Sequence, residues 1–293
     1  MRSISRMEFA CIFLVMPAIL VRLVTSIYPI GKIFVDSLFD ISLIRGTHNF
    51  VGLGNFVRMF NDINVTDTIA FSLYFTVASI VLHIVIGIPL ALLLNQTFKG
   101  RKILRSVIII PWALPMIAAG IAFSWGFNDA YGFVNDLIRR VVPDFQFHWT
   151  VTRDGARWAV IIADVWKGSP FYAIVMLSGL QTIPLEIYEA AKVDGASAWR
   201  RFWNITMPCL LPLITVMTIF FALWRLTQFD LVYSMTQGGP GNATSLLSYR
   251  IYVEAFNNLN FGYAAAISVF LCLTMVVIAL VGFTIKRFVD FEL

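Results

Sequence analysis

Six long apolar runs, at residues 9–30, 68–94, 106–127, 158–180, 209–233 and 262–285, alternate with polar segments along the chain. A helix needs roughly 20 apolar residues to cross a hydrocarbon core, so the pattern predicts an all-α integral membrane protein with six transmembrane helices. The first run follows Arg2 and Arg6 as a secretory leader would. Its length, the lack of a small-residue cleavage pattern and the later runs predict a retained span instead. Arg22 within it is read either as snorkelling to the outer interface or as facing the bundle. Gly87 and Pro89 predict a bend in the second span, and Pro111 and Pro115 around Trp112 predict an interrupted third span lining a cavity. The fourth run carries Asp164, Lys167, Gly168 and Pro170, and the fifth Arg225, Gln228 and Asp230; polar residues at membrane depth usually face a cavity. His83 reads as a bundle-facing polar contact, since no second His lies near enough to share a metal. Residues 31–67 and 128–157 read as outer loops.

Composition strengthens this picture. The 293 residues are 59% hydrophobic and 13% charged, with a mean hydropathy of +0.79, too apolar for a soluble domain of this length. The formal charge of +5 does not point to nucleic acid, because the basic residues are dispersed among apolar runs. It points to orientation. Lys99, Arg101, Lys102 and Arg105 crowd one short loop, and assigning alternate loops puts eleven Lys/Arg against six Asp/Glu on that side and eight against nine on the other. Both termini are therefore expected in the cytoplasm. Cys11, Cys209 and Cys272 lie in or beside apolar runs, lack disulfide or metal-ligand spacing, and read as small buried hydrophobes.

The polar segment 189–208, EAAKVDGASAWRRFWNITMP, has an order of its own. Pro184 can open a helix, Asp194-Gly195 supplies a break, and Ser197 can cap a second helix running towards Thr206. Tyr188, Ala191 and Val193 before the break, with Trp199, Phe202, Trp203 and Ile205 after it, give the unit an apolar side. That side suits a partner's groove, and equally an amphipathic loop lying on the bilayer. Glu189-Ala190-Ala191, then Asp194-Gly195-Ala196, Phe202, Ile205 and Pro208 resemble, in order and spacing, the EAA loop of the membrane subunits of bacterial ABC importers. Two further segments resemble the carbohydrate branch of that family, the membrane subunits of maltose and glycerol-phosphate importers. Phe50-Val51-Gly52-Leu53-Gly54-Asn55-Phe56 is similar to its FVGLxNF signature. Phe229-Asp230, Thr236, Gly238-Gly239-Pro240 and Thr244 are similar to its FDxxxxxTxGGPxxxT segment.

The resemblance implies a type I ABC importer permease fold, with an N-terminal part at 1–67, a core transmembrane domain at 68–288 that includes a cytoplasmic coupling loop at 182–208, and a cytoplasmic tail at 289–293. It implies a permease subunit of the bacterial inner membrane, paired with a second permease subunit, two ATPase subunits and a periplasmic or extracellular solute-binding protein that delivers a sugar or sugar derivative. Glu189, Ala190, Ala191, Asp194, Gly195, Ala196, Phe202, Ile205 and Pro208 would form the ATPase-coupling surface. In it Glu189 would pair at the rim of a cleft, the three alanines would allow close approach, Gly195 would make the turn, and Trp199, Phe202 and Ile205 would be apolar anchors. Arg200 and Arg201 suit acidic ATPase residues or, as membrane lipid contacts, headgroups. No GxxxxGK[ST] occurs in the sequence, so no cofactor is expected in this chain, and ATP and Mg belong to the partner subunits. No nucleophile–base pattern or metal cluster suggests an enzyme.

Positions that line the sugar pocket in maltose-importer relatives fall near Asp164, Lys167, Gly168, Phe171, Phe221, Trp224, Arg225 and Gln228. Aromatic faces with hydrogen-bonding groups suit a sugar. Phe221, Trp224 and Arg225 are bulkier than the family's residues there, which argues against a long disaccharide. Lys167 and Arg225 suit an anionic substituent; alternatively Arg225 pairs with Asp164 or Asp230, and Lys167 is a structural residue of Trp166-Lys167-Gly168-Ser169-Pro170-Phe171. A different class, an ion-coupled secondary transporter of a small polar solute, would use the same buried charges and would work from this chain alone.

Overall fold

The computed structural model describes residues 6–292, with side chains described for 13–288. Arg2, Leu293 and the side chains of Arg6, Cys11 and residues 289–292 lie outside the described residues. The chain divides into two compact units, Met1–Asp62 with Ile251–Phe270, and Ile63–Arg250 with Leu271–Leu293.

In the first unit the first span, Phe13–Asp36, leads into a segment that sequence patterning treats as a loop. The structure corrects this: strands Phe39–Ser42 and Thr47–Phe50 pair antiparallel, and helix Gly54–Asn61 follows. Asn55 is the reason. Its buried side-chain amide donates to the carbonyls of Ser37 at 2.9 Å and Phe39 at 2.8 Å, pinning the new helix onto the start of the hairpin. Gly52, at φ +56°, makes the turn between strand and helix.

The second unit holds the helices from Ile63 to Arg250 and the last helix, Phe261–Glu292, from Leu271 onward. Helix Ile63–Asn95 packs along Arg153–Leu180 and against the helix ending at Leu226, burying Leu94, Tyr172, Met176, Leu210 and Phe221 in one apolar core. The second helix continues unbroken through Gly87 and Pro89. Gly87 serves contact: a Cβ there would lie 2.5 Å from the Tyr172 ring. The third span breaks as its prolines predict, with Arg101–Ala113 and Met116–Gly126 meeting at 89°. Pro115 excludes the helical region for Leu114, and both residues are extended.

Three expected boundaries shift. The fourth span begins at Arg153 rather than 158, because the Thr152 side chain accepts from Gly155 N and caps it. The fifth starts at Ala198, inside the polar segment, and stops at Leu226. Residues to 233, assigned to it on hydropathy, fold back as the separate helix Asp230–Met235, which packs on Met116–Gly126 so closely that a Cβ on Gly120 would lie 2.0 Å from Ser234 Oγ. The segment 128–152 is ordered by Asn135, which donates to Phe147 O at 2.9 Å and accepts from Trp149 Nε1 at 2.8 Å. Cys209 is exposed and Cys272 half-buried, contrary to the expectation of buried cysteines.

Candidate functional site

The segment 182–208 forms a helical hairpin. Helix Leu185–Val193 closes in a Schellman motif: Ala196 N donates to Ala191 O at 2.9 Å and Gly195 N to Lys192 O at 3.0 Å, with Gly195 at φ +75°. The Ala191, Gly195 and Ala196 of the signature are thus the elements of one backbone turn. Ser197 accepts from Arg200 N and caps the second helix. Pro208 lacks an N–H and its ring would clash with the carbonyl of Asn204. The helix answers with a wide turn at Phe202–Thr206, where Met207 N bonds Phe202 O, and then continues into the fifth span. Tyr188 Oη and Thr206 Oγ1, 2.9 Å apart, tie the two arms together.

Exposure sorts the expected coupling residues. Glu189, Ala190, Asp194 and Gly195 are exposed, whereas Ala191, Ala196, Ile205 and Pro208 are half-buried. Val193 and Trp199 stand 88% and 71% exposed, an apolar tip on the hairpin. Phe202 does not join them. Expected among the apolar anchors, it is half-buried and packs against the apolar core where hairpin meets span. Arg201 donates to Ala196 O at 2.6 Å within the hairpin.

At the other end of that continuous helix lies a cavity of about 160 Å³ lined by Trp112, Met116, Lys167, Gly168, Trp224 and Arg225. Arg225 and Asp164 are 2% and 0% exposed, and Arg225 Nε sits 2.7 Å from Asp164 Oδ2, close enough for an ion pair though off the line of a hydrogen bond. Of the two carboxylates weighed for Arg225 in the sequence, Asp164 is the partner. On the far side, Arg225 Nη2 is 3.4 Å from His83 Nε2. His83 Nδ1 is 2.5 Å from the carbonyl of Ser79. Only a protonated Nδ1 can donate there, which leaves the Nε2 lone pair to accept from the guanidinium. Phe221 and Trp224 place their rings 4.9 and 5.1 Å from the Arg225 guanidinium carbon.

Lys167 donates to Trp112 O at 2.7 Å. That carbonyl is available because the third span breaks two residues later, freeing the last acceptors of its first half. Gly168 allows the close approach, since a Cβ there would lie 2.2 Å from His83 Nε2 and 2.7 Å from Arg225 Nη2. Phe171 stacks on Trp112 at 5.2 Å and 12° and so packs beside the cavity. Gln228 lies beyond the helix end, its carbonyl accepting from Ser248 Oγ, and does not line the cavity. His83, Met116 and the Trp112 carbonyl are the participants that sequence patterning did not place here; the prolines around Trp112 were the signal for the last.

The glycine-proline turn is also explained. Thr236 Oγ1 and Thr244 Oγ1 hydrogen-bond each other at 2.7 Å, and Thr244 Oγ1 donates to Gly239 O at 2.7 Å. Gly238, at φ +77° and against the Tyr249 ring, admits no side chain.

Apolar spans around a buried charged cavity, joined by one helix to an exposed apolar hairpin, define a membrane transport subunit. The chain belongs to the family of binding-protein-dependent transport system inner membrane components, whose sequence profile matches residues 83–291. It is 37% identical over 262 residues to the sulfoquinovosyl glycerol transport system permease protein of Agrobacterium fabrum, covering 88% of this chain and 84% of that one. It is 35% identical over 276 residues to the trehalose/maltose transport system permease protein of Thermococcus litoralis, covering 94% and 92%. In fold it matches a chain of a bacterial ABC transporter involved in the import of the acidic polysaccharide alginate, with a TM-score of 0.82 over 96% of each chain at 22% identity. The fold is that of a type I ABC importer permease.

Proposed function

We propose that this chain forms half of the translocation path of an ATP-driven importer for a sugar or sugar derivative handed over by a solute-binding protein. A second permease subunit supplies the other half, and two ATPase subunits carry ATP and Mg. The chain itself has a mechanical role, with both termini and the hairpin on the cytoplasmic side, where the basic loops lie. The relatives named for sulfoquinovosyl glycerol and trehalose/maltose support the sugar class.

The observation that carries the coupling role is the single helix Ala198–Leu226. One end holds exposed Trp199 and the other holds Trp224 and Arg225 in the cavity wall. Closure of an ATPase cleft around the hairpin would displace this helix along its length and so reshape the cavity. The alanines and Gly195 of the hairpin allow the close approach, Glu189 and Asp194 supply exposed charge, and Ile205 and Pro208 form the joint to the span.

The test is purification of the tagged chain from its native membrane with copurifying subunits, reconstitution, and measurement of ATP hydrolysis with and without loaded binding protein. Stimulation by loaded binding protein is expected. Transport by this chain alone on a proton or sodium gradient would replace the proposal with a secondary transporter.

A further inference from the structure

The cavity beside Arg225 holds more positive than negative charge. Lys167 and Arg225 both line it, and Asp164 is the carboxylate whose field acts on both. Asp164 is committed to Arg225 Nε, His83 is neutral by its bonding, and Lys167 meets a carbonyl dipole rather than an anion. One positive charge is left over at membrane depth, a costly arrangement unless something neutralises it.

The guanidinium also has a donor to spare. Arg225 is 2% exposed, and while Nε faces Asp164 and Nη2 faces His83, Nη1 is buried with no hydrogen-bond partner. Buried donors are nearly always satisfied, so an unpaired donor on a residue that lines the cavity points to a missing acceptor. The Lys167 ammonium has three N–H groups and the Trp112 carbonyl takes one. At about 160 Å³ the cavity is smaller than the roughly 300 Å³ at which pockets for whole small ligands begin. It fits one end of a solute.

We infer that the cavity receives an anionic substituent of the transported sugar, a carboxylate, phosphate or sulfonate, held by the Arg225 guanidinium and Lys167 Nζ. This rests on the sugar-importer reading above. Trp112 and Trp224 offer apolar faces beside these donors for the CH face of the attached ring. His83 and Asp164 are positioning residues that hold the guanidinium beside the cavity, and Gly168 leaves room for it.

The test is calorimetric binding to the detergent-purified transporter complex without its solute-binding protein, whose own preference would otherwise be read. The probes are glucose, glucuronate, glucose 6-phosphate, 6-deoxy-6-sulfoglucose and inorganic phosphate. At least one sugar anion should bind about tenfold tighter than glucose and than inorganic phosphate. That preference should vanish in Lys167→Gln, which keeps the Arg225–Asp164 pair, and in Asp164→Asn/Arg225→Gln, which removes both members of that pair together and so strands neither. Glucose binding as tightly as every sugar anion, or a preference that survives both variants, overturns the subsite alone. Inorganic phosphate binding as tightly as the sugar anions overturns the sugar-substituent assignment. Failure of every probe to bind overturns the sugar class together with the subsite.

Discussion

Lys167 Nζ, on the fourth span, donates a 2.7 Å hydrogen bond to the carbonyl of Trp112, just before the third span breaks. A break in a membrane helix is tolerated only where its freed carbonyls find donors within the protein. Lys167→Met removes this donor while keeping the stem, and loss of a buried charge-assisted bond should cost about 1.5–3 kcal/mol. The midpoint of thermal unfolding in detergent should fall accordingly. An unchanged midpoint would mean that the break is held by other contacts.

Gly168→Ala is the smallest change that disturbs the charged cluster. Its Cβ would sit 2.2 Å from His83 Nε2 and 2.7 Å from Arg225 Nη2. Overpacking of this kind costs roughly 1–3 kcal/mol, and the displaced guanidinium should reduce solute-stimulated ATP hydrolysis more than basal hydrolysis. Equal reduction of both would assign Gly168 to folding alone.

Gly195 behaves differently. It has φ +75° and nothing within 4 Å, so a substitution there meets no clash. Gly195→Ala should cost roughly 1–2 kcal/mol for the left-handed backbone, leaving membrane insertion intact. Gly195→Trp adds bulk on the exposed side of the hairpin and should uncouple hydrolysis from uptake. Wild-type uptake per ATP in the tryptophan variant would count against docking through this surface.

The segment 128–152 carries an acid-sensitive contact. Burial pushes the Asp129 carboxyl up, but hydrogen bonds from Thr150 Oγ1 and Thr150 N, and the His148 ring 3.4 Å away, outweigh it and hold the group below its usual range. A carboxylate depressed on folding stabilises fully above its unfolded pKa of about 3.9 and loses that contribution as pH falls through the folded value. Proteolysis of residues 128–152 should therefore accelerate in wild type below about pH 4. In Asp129→Asn the rate should already be raised at neutral pH, with a weaker acid response.

The parts of the molecule that were legible in the sequence are those where one residue type permits one geometry. Gly195 and Ser197 marked the hairpin, and Pro115 the broken span. Lys167, Gly168, Trp224 and Arg225 were grouped in advance and now share a cavity wall. Hydropathy could not see that Thr227 and Gln228 end a helix, so residues to 233 were joined to the fifth span. Nor could it see that Asn55 organises a hairpin, because its acceptors at Ser37 and Phe39 become neighbours only after the strands pair. Phe202 reads from composition as one aromatic among several, and only the wide turn before Pro208 aims it inward.

The uninterrupted course of Ala198–Leu226 has a thermodynamic corollary. If occupancy of the Arg225 cavity changes the hairpin's affinity for its ATPase, ATPase binding must change the cavity's affinity for solute by the same factor, since both are legs of one closed cycle. A transporter built this way would report a loaded cavity to its ATPase through the same helix by which ATPase binding reshapes it.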